Sequence, residues 1–226
     1  MISHDYKCIF LHIPKCAGTS IESVLGHHEG YRGPNRQDHR TLRSIQQPIF
    51  SKDLFKNLEN FTELGRRFKR KVISRNENPR NKLMVTKEQY RQYYKFTIVR
   101  NPWARAFSWY KAVQEDPVFR NFVNLEADVN FYEALNKCIG KDLLREQTYW
   151  ITDYTGAIPL DFIAKLETLE SDFPAICNDM GVEGLSLPHH LKRSGSYLDA
   201  FDDKTKDLVY HFYKEEIRLF GYEFEI

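Results

Sequence analysis

What the sequence lacks narrows it first. Nowhere do the roughly 18 apolar residues of a membrane span run together, so none is expected. Met1 to Phe10 is mixed and polar, without the apolar run of a signal peptide. The four cysteines, Cys8, Cys16, Cys138 and Cys177, contain no C-x-x-C pair. A chain of 226 residues can bury a core without staples, so reduced thiols in a cytoplasmic enzyme are the expectation. No metal-ligand spacing is present: His27-His28 and His189-His190 are adjacent pairs, not partners one helical turn apart. There is no internal repeat and no low-complexity tract. Charge of one sign is also missing, with 33 Lys+Arg against 31 Asp+Glu, which excludes a wholly polybasic protein. At 42% hydrophobic and 28% charged residues, wholesale disorder is excluded too.

What is there alternates between strand and helix patterns. Lys7 to Ile13 is a short apolar run of strand formers, and Pro14 ends it. Lys15 to Ser20 is a small-residue turn, after which Ile21, Val24 and Leu25 fall at helical spacing. Asp53 to Phe68 reads as one amphipathic helix with apolar residues at 54, 55, 58, 61, 64 and 68. Phe96 to Arg100 is a second strand. Asn101-Pro102 then turns the chain into a helix over Trp103–Gln114, with proline at its first position. Helices are also predicted over Asn130–Ile139, Asp142–Ile151 and Asp172–Met180, and a third strand over Asp161–Leu166. The best-marked helix is Asp202–Phe220, with a core face of Leu208, Val209, Phe212, Tyr213, Ile217 and Phe220 and a stop at Gly221. The pattern predicts an α/β fold with a mostly parallel central sheet in one domain.

The turn at residues 14–20 carries chemistry. Behind a buried strand, the unpaired N–H groups and dipole of a helix start welcome an anion. Ala17 and Gly18 are small enough to let a phosphate near the backbone, Lys15 adds a full charge, and Thr19 and Ser20 add hydroxyl donors. The turn is not the G-x-x-x-x-G-K-[ST] loop of nucleotide triphosphatases, because Lys15 precedes Gly18 and no glycine opens it. By composition alone, a plain βα turn capped by Thr19 or Ser20 remains open.

Residues 12–20, His-Ile-Pro-Lys-Cys-Ala-Gly-Thr-Ser, resemble the 5′-phosphosulfate loop of sulfotransferases that use 3′-phosphoadenosine-5′-phosphosulfate (PAPS). The likeness is to the carbohydrate branch, Golgi-type and bacterial, whose loop reads H-x-P-K-[TC]-[AG]-[GS]-[TS]-[ST]. Residues 96–110 resemble that family's 3′-phosphate segment, in which an Arg ends a strand (Arg100) and a Ser follows on the next helix (Ser108). Gln147, residues 161–167, Leu187-Pro188 and the closing Phe220-Gly221-Tyr222 are weaker matches. The likeness covers roughly residues 7–45 and 84–224.

The resemblance implies a three-layer, P-loop NTPase-like sulfotransferase fold over residues 1–226, with a basic insertion at about 50–90. It implies sulfuryl transfer from PAPS to a hydroxyl of a carbohydrate or carbohydrate-like acceptor, leaving adenosine 3′,5′-bisphosphate and needing no metal. Lys15, Cys16, Ala17, Gly18, Thr19 and Ser20 would hold the 5′ end, with Lys15 at the leaving oxygen, and Arg100 and Ser108 the 3′-phosphate. Arg193 and Ser194 would add to the 3′ site, with Tyr197 and Leu198 against adenine. Arg105 is read as a neighbour or a surface ion pair. His39, in an Asp-His-Arg-Thr segment, is the first candidate base because an imidazole titrates near neutrality, with Asp38 to orient it. Glu22 is the second, and His12 is read as packed behind the loop. A kinase using ATP and a non-catalytic nucleotide or polyanion binder stay open as alternatives.

The small net charge hides an uneven distribution. Residues 66–95 hold 11 Lys/Arg against 2 Asp/Glu, while residues 96–226 hold 14 against 22. The basic stretch suggests an anionic acceptor or a solvated surface. Nucleic acid is not expected, since no reader motif is present. The oligomeric state is not legible.

Overall fold

The computed structural model describes residues 1–33, 36–73, 77–187 and 197–224, without the side chains of residues 51 and 70–73. Among these residues a four-stranded sheet is built from β1 (Ile2–Ser3), β2 (Cys8–Leu11), β3 (Tyr94–Val99) and β4 (Phe162–Lys165), in that spatial order. Eleven α-helices are described: α1 (Gly18–Val24), α2 (Leu42–Ile45), α3 (Ser51–Leu54), α4 (Leu58–Ile73), α5 (Lys87–Gln92), α6 (Pro102–Glu115), α7 (Pro117–Phe122), α8 (Phe131–Cys138), α9 (Gln147–Ile151), α10 (Leu169–Asp179) and α11 (Asp203–Phe220). The chain divides into two compact units. One comprises Met1–Ile13, Ala17–Val99 and Thr148–Leu191, the other Pro14–Cys16, Arg100–Gln147 and Lys192–Ile226.

The first unit holds the sheet. β1 pairs antiparallel with β2, while β2, β3 and β4 run parallel, as strands joined by helical crossovers must. β2 is buried along its whole length, which is why Cys8-Ile9-Phe10-Leu11 carries no polar alternation. Phe10 faces Phe96 across the β2–β3 pair, ring centroids 5.0 Å apart. The parallel register, Leu11 opposite Thr97, brings the C-terminal ends of β2 and β3 side by side. Both motifs singled out in the sequence follow those two ends.

The second unit is helical. Its core gathers Trp103, Trp109 and Val113 of α6, Leu135 of α8, and Val209, Tyr213 and Ile217 of α11. Asn101 caps α6, its Oδ1 accepting from the N–H of Trp103 at 3.1 Å, and Pro102 occupies the first helical position as expected.

Three local expectations are corrected. The predicted helix over Asp53–Phe68 is broken, because Asn57 accepts the N–H of Asn60 at 2.9 Å and starts α4 afresh at Leu58. The predicted helix over Asp142–Ile151 becomes a 3-10 turn at Asp142–Leu144 and then α9. The carbonyls of Leu143 and Arg145, which a continuous helix would use, instead accept from Arg105 at 2.7 and 2.9 Å. On α11, Phe212 lies outside the core over Gly140, where a Cβ would come within 2.3 Å of its ring. The carboxyl-bearing Glu216 is instead buried with Val209, Tyr213 and Ile217.

Candidate active site

In the helical unit, residues 14–16 are gripped through their backbone. Lys15 has a left-handed φ of 69°, which turns its carbonyl toward Arg100, whose Nη1 donates to it at 3.1 Å. Arg105, fully buried, donates from Nε to the carbonyl of Pro14 at 3.1 Å. It is therefore no surface ion pair: its three donors close on three backbone carbonyls, those of Pro14, Leu143 and Arg145. Ser108 is buried on α6, two turns beyond Arg100.

Gln147 is the second clamp, fully buried. Its Oε1 accepts from the Arg100 N–H at 2.8 Å and from the Cys16 thiol at 3.4 Å, while its Nε2 donates to the Arg100 carbonyl at 2.9 Å. Glu216 holds Gln147 in turn, accepting from its backbone N–H at 2.5 Å and from Nε2 at 3.0 Å. Burial pushes the Glu216 carboxyl up to about 7, against the opposing pull of Arg105. Cys16, expected among the anion-binding residues, spends its thiol inside this network, so what it can offer an anion is its backbone N–H.

The sheet unit holds the rest of the motif. Ala17, at φ 58°, precedes α1 and has no side chain with which to cap it. Gly18 is required by a neighbour: a Cβ there would lie 1.9 Å from the His12 ring. Room for a phosphate, the reason expected from the sequence, is not what the contact shows. Gly18→Ala should cost about 1–3 kcal/mol through overpacking. In a His12→Ala background the same change should cost far less, and thermal unfolding of the four proteins would measure the coupling.

Thr19 accepts a close hydrogen bond from the Gln37 amide, and the other end of that amide meets His39 Nε2 at 3.0 Å. His39 Nδ1 lies 3.2 Å from the His12 carbonyl, and the two rings meet tilted at 52° with centroids 4.2 Å apart. A neutral imidazole has one N–H, so it serves one of these two oxygens. Turning the Gln37 amide end for end satisfies the whole set, with Nδ1–H on the His12 carbonyl. Burial, and then the His12 ring, push His39 down to about 3. His39 is therefore neutral at physiological pH and a weaker base than the near-neutral pKa expected of it. Asp38 does not orient it; that carboxylate is forked by Arg40, with Nε at 2.8 Å and Nη2 at 2.6 Å.

Glu22, the second candidate base, has no exposed surface. It accepts the Asp38 N–H at 2.9 Å and lies 3.0 Å from His12 Nδ1, and burial raises its pKa. It can touch no bound molecule as the chain stands, and it braces His12 behind Gly18. Arg193 and Ser194 lie outside the described residues. Tyr197 is engaged with Phe224, its hydroxyl on that residue's carbonyl and the rings edge to face at 5.8 Å. No group of three or more His, Cys, Asp or Glu that could hold a metal occurs among the described residues. Nor is any helix among them long and apolar enough to cross a membrane.

The family model described as "Sulfotransferase family" matches residues 1–223. The chain belongs to the sulfotransferase family. Its α/β architecture, with a mostly parallel four-stranded sheet, agrees with that membership. No curated protein and no solved structure matches the chain in the two other comparisons. In this sulfotransferase the residues that sequence reasoning undervalued are Arg105, Gln147 and Glu216. Arg105 had a signal in its place one turn into α6, and Gln147 in its weak match. Glu216 had none, because a carboxylate on a helix otherwise reads as solvated.

Proposed function

We propose that this sulfotransferase moves a sulfuryl group from PAPS to a hydroxyl of a carbohydrate or carbohydrate-like acceptor. One observation supports the reading above all: Arg100 donates to the carbonyl of Lys15, joining two motifs 85 residues apart. The donor set suits an anionic, phosphate-bearing molecule, since Lys15, Thr19, Ser20, Arg100 and Ser108 offer cations and hydroxyls and no carboxylate. PAPS, when bound, supplies the sulfuryl group on a phosphate leaving group.

The chain's own work is to bind and to balance charge. Lys15 neutralises the leaving oxygen, with the N–H groups of residues 16–19 and the hydroxyls of Thr19 and Ser20 around it. Arg100 and Ser108 hold the terminal phosphate. His39 Nε2, which the Gln37 amide covers in the free protein, accepts the proton of the acceptor hydroxyl once that hydroxyl takes the place of Gln37. An anionic acceptor draws less support than the count over residues 66–95 suggests. Arg66 is bonded to Glu63 at 2.6 Å, Arg67 to the Gln46 carbonyl at 2.8 Å, and Lys95 to the Tyr93 carbonyl at 2.7 Å.

The test is transfer of label from PAPS to a panel of saccharides and small alcohols, with ATP run beside it. Label should move from PAPS to a sugar hydroxyl. Transfer from ATP instead, or tight binding of adenosine 3′,5′-bisphosphate with no transfer to any acceptor, would overturn the reading. Within the same assay His39→Ala should lose about 100-fold in kcat/KM. Because burial and the His12 ring push His39 down to about 3, the wild-type kcat/KM should show no His39 limb as pH falls from about 7 to about 5. An acid limb near the ordinary histidine pKa that vanishes in His39→Ala would contradict the buried, neutral ring.

A further inference from the structure

Helix α4 is turned inside out. Its inward face is polar: Asn60 and Glu63 are fully buried. The Asn60 amide donates to the carbonyls of Asp53 at 2.7 Å and Tyr154 at 3.0 Å, and Glu63 accepts from Thr41 at 2.6 Å and from Arg66 and Tyr149. Its outward face is apolar. Positions 58, 61, 65 and 68 fall on one stripe at helical spacing. Leu58 is 85% exposed, Phe61 42% and Phe68 70%. Gly65, between them, has nothing within 4 Å of where a Cβ would stand. Phe55, 76% exposed just ahead of the helix, packs edge to face on Phe61 at 5.4 Å and extends the stripe. The amphipathic pattern over residues 53–68 is thus real, but the face expected to be buried is the one left outside.

The charge around the stripe says what covers it. Lys52 and Lys69 are exposed, while Arg66 and Arg67 are turned to Glu63 and the Gln46 carbonyl. The acids of the same stretch are spent: Glu63 as above, Asp53 buried and 3.2 Å from Lys56, and Glu59 on Arg43 at 2.9 Å. An exposed stripe of Phe and Leu on a helix of low mean hydropathy, bordered by cations, is the composition of an interfacial helix.

We propose that this face docks on the surface of an anionic phospholipid membrane. Phe55, Leu58, Phe61 and Phe68 enter the headgroup–acyl boundary, and Lys52 and Lys69 meet the lipid phosphates. A second copy of the chain is disfavoured, because a symmetric contact through this patch sets lysine against lysine with no free acid to answer. A hydrated polyanion would neutralise the cations and leave the stripe in water. The proposal stands apart from the donor and acceptor of sulfuryl transfer, since vesicle binding is read without turnover.

The experiment is flotation of the full chain with vesicles of phosphatidylcholine alone and with about a third phosphatidylserine. The protein should float with the anionic vesicles and be released as salt rises. The variant Leu58→Ser/Phe61→Ser/Phe68→Ser should bind them at least about tenfold more weakly with an unchanged unfolding temperature, because these side chains are exposed. Lys69→Glu should weaken binding to anionic vesicles only. No flotation at low salt, or equal flotation of the triple variant, overturns the proposal. So does a dimer in analytical ultracentrifugation that the triple variant makes monomeric while neither protein floats. Heparin binding that survives the triple variant, without flotation, would assign the patch to a polyanion instead.

Discussion

Lys15→Ala should lower kcat for sulfuryl transfer by about 100- to 1,000-fold, the usual cost of removing a preorganised charge from a developing anion. Folding should not change. The loop is held through the Lys15 carbonyl on Arg100 and the Pro14 carbonyl on Arg105, and both carbonyls survive the substitution. Backbone strain makes a sharper version of the test. Lys15 sits at φ 69°, a conformation costing a non-glycine residue about 1–2 kcal/mol. Lys15→Gly should therefore be as inactive as Lys15→Ala and yet unfold at the same or a higher temperature. That divergence separates a chemical role from a structural one. Single-turnover rates with PAPS, measured beside thermal unfolding, decide it; a rate within about threefold of wild type in either variant removes Lys15 from the leaving group. Arg100→Ala, by contrast, should act mainly through the KM for PAPS.

The largest effect on stability is expected at Arg105. Arg105→Met keeps the volume of the stem and takes the guanidinium from three backbone carbonyls, those of Leu143, Arg145 and Pro14, the last keeping only the weak Cys16 thiol donor at 3.7 Å. Each unsatisfied buried carbonyl costs about 1–3 kcal/mol, and partial access of water brings the total to about 3–5 kcal/mol. The loss also removes the charge that opposes burial at Glu216, so its carboxyl should rise above the present value of about 7. Glu216 would then hold Gln147 less firmly near neutral pH, and Gln147 holds both Cys16 and Arg100. Arg105→Lys should fall between, since one ammonium cannot span three carbonyls. Denaturant unfolding is the measurement, and a loss under about 1 kcal/mol for Arg105→Met would show that the loop is supported from elsewhere.

The parts of the fold legible in the sequence are those whose surroundings are local. The strand at residues 8–11, the Asn101-Pro102 helix start and the Asp202-to-Gly221 helix were legible because each rests on near neighbours. An unbroken apolar run, a cap with proline behind it, and a final left-handed glycine are local signals, and local signals survive into the fold. The two motifs were legible for the same reason. His39 was legible as a residue but its pKa was not, because that is set by burial and by His12, 27 positions away. Gly18 was legible as necessary, for a reason that turned out to be the His12 ring. Where prediction ran a helix through a break, at Asn57 and at Arg145, a single side chain had taken the backbone groups that the helix needed.

The sequence by itself determined the family, through the resemblance of its two motifs, the order of β2, β3 and β4 with the longer helices between and after them, and the residues that can carry charge to an anion, since these follow from residue type and spacing. Tertiary structure alone decided which of those charges are spent. Arg105, Glu63 and Glu216 all read as surface residues in a string of letters, and all three are buried with partners distant in sequence to satisfy them. Burying such a group is costly unless its hydrogen bonds are met, and whether they are met depends on the whole fold and on no local pattern. The apolar stripe of α4 is the converse case. Its spacing promised burial, but the buried positions went to Asn60 and Glu63, whose partners lay on the inside, and the phenylalanines were left facing out.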